Sequence, residues 1–303
     1  MTTNMNDGSG CAPYLRTDLN LGSIAALPDF STGPRGDRDD VFAALRAAGY
    51  RGIQVMGEQL GSLAPEGLRL TASGRVGGPD DAAALAVRHK AAGCDATTVH
   101  VGTGLESDDD IDRLVSSIVE ASEKFSYPIY VETHRATVTQ DMRRTVDLVS
   151  RIPEVRFNGD FSHWYTGLEM TYGNFEAKLD FIAPVLERVR FMHGRIGNSC
   201  CMQVDIGSGE DRPHVEHFKA IWTRAMAGFL KDARPGDYFC FAPELLPAHI
   251  DLGAQRITLN YARLFPGPDG ALREEGDRWQ QAAVLTSIAK TCWEAAQDRL
   301  QAA

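Results

Sequence analysis

Four short apolar runs in this chain each stop on a residue type that binds metal ions: PIYVE on Glu132, VRFNGD on Asp160, VRFMH on His193 and YFCFAPE on Glu244. Each run is rich in β-branched and aromatic residues, and each follows a helix-like segment. Side chains spread over more than a hundred residues of sequence meet only if those strands lie side by side with their ends in register. A parallel barrel or parallel sheet does this, because it gathers the C-terminal ends of its strands at one face.

The rest of the chain keeps the same rhythm. LRTDLNLGSIAAL is a first strand and loop, and DRDDVFAALRAAGY a helix with acidic residues in its first turn. RGIQVM, LRLTASGRV and ATTVHVG are further strands, with PDDAAALAVRHKAAGC a helix between the last two. SDDDIDRLVSSIVEASEKF opens on a Ser-Asp-Asp helix cap. Eight strand candidates alternating with helices or long connections predict a single (β/α)8 barrel over residues 14–303, with an additional C-terminal helix in DRWQQAAVLTSIAKTCWEAAQDRLQ. Two units are weak: GEQLGSLAPEG after the second strand is not convincingly helical, and LPAHIDLGAQRITLNYARLF follows the eighth. The polar, Gly/Ser/Asn-rich residues 1–13 read as a disordered lead.

Length and charge bound the function. A chain of 303 residues accommodates a barrel domain, which runs to roughly 250. The net charge of −10 disfavours a nucleic-acid footprint, which needs a basic face. No apolar stretch approaches the roughly 20 residues of a membrane span, and the N-terminus lacks the apolar core of a signal peptide. The six cysteines show no CxxC spacing, so reduced thiols in the cytoplasm are expected. The long amphipathic C-terminal helix either closes the barrel or packs across a subunit contact, as in a homodimer.

Three carboxylates and one imidazole form a hard-to-borderline donor set. It suits Mn²⁺, and also Mg²⁺, Co²⁺ or Fe²⁺, better than a structural zinc. Positions left open on an octahedral ion accept adjacent oxygens of a sugar. A chelated hydroxy-ketone has a polarised carbonyl and an acidified neighbouring C–H, and a carboxylate beside it takes and returns the proton.

These motifs resemble the xylose isomerase-like TIM-barrel superfamily, specifically its sugar phosphate isomerase/epimerase branch, from about Tyr14 to the helix after Glu244. The resemblance implies that Glu132, Asp160, His193 and Glu244 hold the metal, and that Glu132 and Glu244 double as the acid/base pair. It implies substrate contacts from His163 in the D-x-x-H of Asp160-Phe-Ser-His163, and from Arg195 in HGRIG. The implied activity is a metal-dependent isomerase or epimerase acting on a keto-sugar, glycoside or cyclitol through a metal-bound enediolate. A lyase or dehydratase that eliminates from an oxidised sugar or cyclitol is the alternative. A phosphodiesterase or endonuclease, and a non-catalytic barrel, are more remote; the segment after His193 has no Asp-x-His pair for a metal cluster.

Four further residues are substrate-contact candidates. His100 ends the fourth strand and faces the same mouth if the register holds. His134 shares a strand face with Glu132 by alternation if the strand continues. Trp164 offers either a sugar platform or an aromatic cap on the core, and Gln203 an amide for a hydroxyl.

Overall fold

Eight strands pair in sequence order, and the first closes onto the last. They are β1 (Tyr14–Asn20), β2 (Gly52–Met56), β3 (Arg69–Val76), β4 (Cys94–Val101), β5 (Ile129–Glu132), β6 (Phe157–Gly159), β7 (Val189–Gly194) and β8 (Tyr238–Pro243). All these pairings are parallel, and Tyr14 to Thr17 pair with Tyr238 to Phe241 at the closure. The computed structural model describes residues 4–63, 65–210, 212–252 and 255–301.

Helices surround this barrel: α1 (Arg38–Ala47), α2 (Asp81–Ala91), α3 (Asp108–Phe125), α4 (Met142–Arg151), α5 (Ser162–Gly167), α6 (Phe175–Phe181), α7 (Ala183–Leu186), α8 (Pro213–Asp232) and α9 (Arg278–Gln301). Local chemistry sets their starts. Asp37 accepts from the amides of Asp39 and Asp40, Ser107 from Asp110, and Asp141 from Arg144, so orphan donors of each first turn are satisfied. In α3, Ile111, Leu114, Val115, Ile118 and Val119 recur at helical spacing and are all buried. None of the described helices is long and apolar enough to cross a membrane.

The two weak units are the irregular ones. Between β2 and β3 the described residues form a 3₁₀ helix, Gly57–Ser62, and no α-helix. After β8 it forms two antiparallel hairpins, β9 (His249–Leu252) with β10 (Gln255–Thr258) and β11 (Leu264–Pro266) with β12 (Leu272–Glu274). Helix α9 then stands in the position following β8, packed against α8, β8 and β1.

The lead corrects a sequence expectation. Residues 1–3 lie outside the described residues, but residues 4–13 are ordered against the N-terminal end of the barrel. Met5 is 1% exposed and packs with Tyr130, Phe191 and Tyr238 in the barrel interior. Its amide donates to the Tyr130 hydroxyl at 3.1 Å, and its carbonyl accepts from the Tyr238 amide at 3.1 Å. Asn4 and Asn6 both donate to Asp237, at 2.8 and 2.7 Å. A polar composition concealed one apolar plug, whose flanking amides all find partners. Above the plug, Arg16 is bidentate to Asp18 at 3.0 and 2.7 Å and reaches Asp95 at 2.6 Å.

Candidate metal centre

The opposite, C-terminal end of the barrel collects the four residues. Glu132, Asp160, His193 and Glu244 each offer one ligand atom, and these atoms lie within 4.8 Å of one another. Glu132 ends β5, Asp160 follows β6, His193 is in β7 and Glu244 follows β8. Inside β7, Gly194 separates His193 from Arg195. A Cβ there would run into the Phe241 ring, so glycine permits β7 to lie close beside β8.

His193 is the hub. Its Nδ1 lies 3.5 Å from Glu132 Oε1, 3.5 Å from Glu244 Oε2 and 3.9 Å from Asp160 Oδ2. Its Nε2 lies 2.7 Å from Gln54 Oε1. That amide oxygen also accepts from Asn20 at 2.9 Å, while Gln54 Nε2 donates to the Thr98 hydroxyl at 3.0 Å. The network therefore assigns a proton to Nε2, donated to Gln54, and turns Nδ1 toward the three carboxylates.

The carboxylates are held as well. Glu132 Oε2 accepts from Asn158 Nδ2 at 3.0 Å, and its Oε1 lies 3.1 Å from His100 Nε2. Asp160 Oδ1 accepts from the Ser162 hydroxyl at 2.5 Å and its amide at 3.2 Å. Asn20 donates to Glu244 Oε1 at 2.9 Å. Arg195, 1% exposed, ion-pairs with both Asp160 and Glu244 through Nη2.

These partners decide the charge states. Burial alone would raise the Glu132 carboxyl, but the positive His193 and His100 outweigh it and hold it well below the usual range. Burial acts on Asp160 in the same sense and Arg195 overcomes it, giving about 2. Burial would lower His193, yet Glu244 and Glu132 push it up to about 9. Without a metal, that Nδ1 thus carries a proton. A divalent cation is the other positive charge this position accommodates. A set of three carboxylates and one imidazole, with its second contacts in place, fits a hard divalent ion.

The other candidate residues separate into two groups. His100, His134 and His163 lie in a row beside the centre, their rings tilted to one another with centroids 4.2 and 3.8 Å apart. His100 is raised because Glu132 outweighs burial, whereas burial lowers His134 to about 4 and His163 well below its ordinary value. Arg195 is at the centre, and its Nε and Nη1 are buried with no partner among the described residues.

Trp164 and Gln203 are not brought to the four ligands' cluster. Trp164 donates to the Thr139 carbonyl at 2.7 Å and packs edge-on to Phe161. Gln203 spends both ends of its amide on the backbone of Leu246, at 2.9 Å each. It latches the loop after β7 to the loop after β8, a use for which one loop glutamine carries no sequence signal.

Sequence reasoning missed Asn20, Gln54, Asn158 and Tyr261. Gln54 had a signal: a lone amide inside the apolar run GIQVM, 0% exposed, needs a polar partner. Asn158 is two residues before Asp160 and so on the same strand face. Tyr261 had none; it arrives from between the two hairpins and lies 4.6 Å under the Arg195 guanidinium carbon.

No family model matches the chain, and no curated protein matches it. Solved structures do. A xylose isomerase-like TIM-barrel protein from Mycobacterium smegmatis, in complex with magnesium, is 12% identical with a TM-score of 0.52, covering 93% of this chain and 97% of that one. The 3-keto-D-glucoside 4-epimerase of E. coli is 12% identical with a TM-score of 0.50, covering 91% and 99%. Endonuclease IV from Thermus thermophilus is 14% identical with a TM-score of 0.50, again covering 91% and 99%. Identities of this size speak for the fold alone.

Proposed function

We propose, from a chain with the xylose isomerase-like TIM-barrel fold, a divalent-metal-dependent isomerase or epimerase acting on a keto-sugar, glycoside or cyclitol. The single observation that carries this reading is His193 Nδ1 facing three carboxylates, the buried Glu132 and Asp160 and the half-buried Glu244, across 3.5–3.9 Å. Glu132, Asp160, His193 and Glu244 would hold the ion, with Mn²⁺ the first candidate and Mg²⁺, Co²⁺ and Fe²⁺ beside it. Bound there, it supplies Lewis-acid polarisation of a substrate carbonyl.

The chain's own residues do the rest. Glu132, kept ionised by His193 and His100, takes the proton from the carbon next to the carbonyl. Glu244 stands across the barrel mouth, on the strand-end pair β5 and β8, and returns a proton to the opposite face. Arg195 offers two donor nitrogens, Nε and Nη1, without a partner among the described residues, to developing negative charge on substrate oxygen. The row of His100, His134 and His163 lines the approach and presents ring edges to hydroxyl groups. The magnesium-containing relative and the 4-epimerase of the same fold support a metal and a sugar, respectively.

The test has two parts. Metal analysis of the purified protein is expected to find one divalent ion per chain, and Glu244→Gln to retain the fold while losing turnover. Turnover of oxidised glycosides and ketoses in D₂O, followed by NMR, is expected to place deuterium at a retained stereocentre. Loss of water or aglycone instead means the lyase reading is right. A fully active Glu244→Gln enzyme refutes the acid/base assignment.

A further inference from the structure

A cavity of about 720 Å³ opens beside the metal centre, between the N-terminal end of α4 and helices α5 and α6. That volume is in the usual range for small-molecule sites, roughly 300–1,000 Å³. The cavity and the centre share one residue. His163 lines the cavity, and its Nε2 lies 3.6 Å from Asp160 Oδ2, beyond hydrogen-bond reach. Both ring nitrogens of His163 are buried with no hydrogen-bond partner among the described residues.

The walls are of two kinds. Met142, Trp164, Leu168 and Phe181 make an apolar surface. Arg135 and Arg143 make a cationic edge, and both are exposed. Neither guanidinium has a carboxylate partner among the described residues, in a chain with net charge −10. Each instead lies over an aromatic ring: Arg143 at 4.6 Å from the Phe181 centroid, Arg135 at 5.4 Å from that of Tyr261. Stacking holds a guanidinium in place while leaving its in-plane N–H donors unused.

The other charges at the cavity are already engaged. Lys178 gives its ammonium to the carbonyls of Leu168, Glu169 and Tyr172 at 3.1, 3.4 and 2.9 Å. Asp141 caps α4 by accepting from the Arg144 amide at 2.8 Å. Two pre-positioned forks with no acid to bind, above an apolar floor, match a flat apolar group that ends in a carboxylate or phosphate.

We propose that this cavity is a second substrate subsite, which takes an anion-terminated apolar substituent carried by the sugar or cyclitol bound at the metal centre. Calling the ligand a substrate rests on the metal-centre reading; the anion binding does not. Arg143 and Arg135 grip the anion, Trp164 and Phe181 flank the apolar body, and His163 marks the junction with the reacting end.

The test uses the full chain stripped of metal with EDTA, titrated calorimetrically with benzoate, phenyl phosphate and the neutral match benzamide. Benzoate, phenyl phosphate or both are expected to bind with millimolar constants, and whichever binds identifies the anion. Benzamide should bind at least about tenfold more weakly, and Arg143→Gln or Arg135→Gln should weaken the anion about tenfold. Both arginines are exposed, so the variants should keep wild-type circular dichroism. Equal binding of benzoate and benzamide, no binding of either anion, or wild-type binding by both variants overturns the proposal. Metal content is measured on the untreated proteins in parallel. A chain that binds anions but no metal keeps the subsite and loses the proposed function, so the two failures are distinct.

Discussion

The side-chain oxygen of Gln54 and Nε2 of His193 stand 2.7 Å apart, and this contact fixes which imidazole nitrogen faces the carboxylates. Gln54 comes from β2 and His193 from β7, so opposite walls of the barrel set the tautomer together. Gln54→Leu leaves the fold intact and frees the ring to rotate. Metal affinity should fall by about 10–100-fold, the usual cost of losing such a partner. Competition against a chelating dye measures it, and unchanged affinity would show that Nδ1 needs no such support.

Arg195 shares its positive charge between Asp160 and Glu244. Arg195→Leu removes it and leaves the buried Asp160 and half-buried Glu244 only His193 as a cation. The metal-free variant should lose about 3–5 kcal/mol of stability, as when one partner of a buried ion pair is removed. Added divalent metal should restore most of it by binding the folded state. Urea titrations with and without EDTA give both numbers, and equal losses in the two conditions would disprove the shared-charge account.

Met5 plugs the far end of the barrel with 1% exposure. Met5→Ala opens a cavity against Tyr130 and Phe191 and should cost about 2–4 kcal/mol in chemical denaturation. A disordered lead predicts no change.

Asp95 shows how the floor of the barrel responds to acid. Burial raises its carboxyl, but the hydrogen bond from Arg69 and the charge of Arg16 outweigh burial and hold it below its ordinary value of 3.8. With the folded value depressed, its stabilisation is present above the unfolded pKa of about 3.9 and is lost as the pH falls through the folded value. The stability gap between wild type and Asp95→Asn should therefore be constant near neutrality and narrow below about pH 4. Denaturation midpoints from neutral to strongly acidic pH check this, and a gap that widens on acidification contradicts the sign.

Much of this was legible in the strand-end pattern. The run that stops on a ligand type is a local feature, because a parallel strand buried on both faces reads as apolar until it reaches the mouth. Gln54 was nearly legible, as one amide in an apolar run. Arg195 was legible as a site residue but its contacts were not, since pairing with Asp160 and Glu244 depends on how far β7 lies from β6 and β8. Trp164 and Gln203 illustrate the converse. Their residue types suit a sugar site, while in the fold Trp164 donates to the Thr139 carbonyl and lines a neighbouring cavity, and Gln203 holds the Leu246 backbone.

The sequence by itself determined the eight-stranded rhythm, the helix starts capped by Asp37, Ser107 and Asp141, and the four ligand-type residues at successive strand ends. Those follow from periodicity and local hydrogen bonding, which act within a few residues. Only the tertiary structure decided that Met5 closes the barrel, that Gln54 orients His193, that Arg195 spans two carboxylates, and that Arg135 and Arg143 share one cavity with neither paired to a carboxylate among the described residues. Each of these joins residues far apart in the chain, and the barrel closure sets their distances.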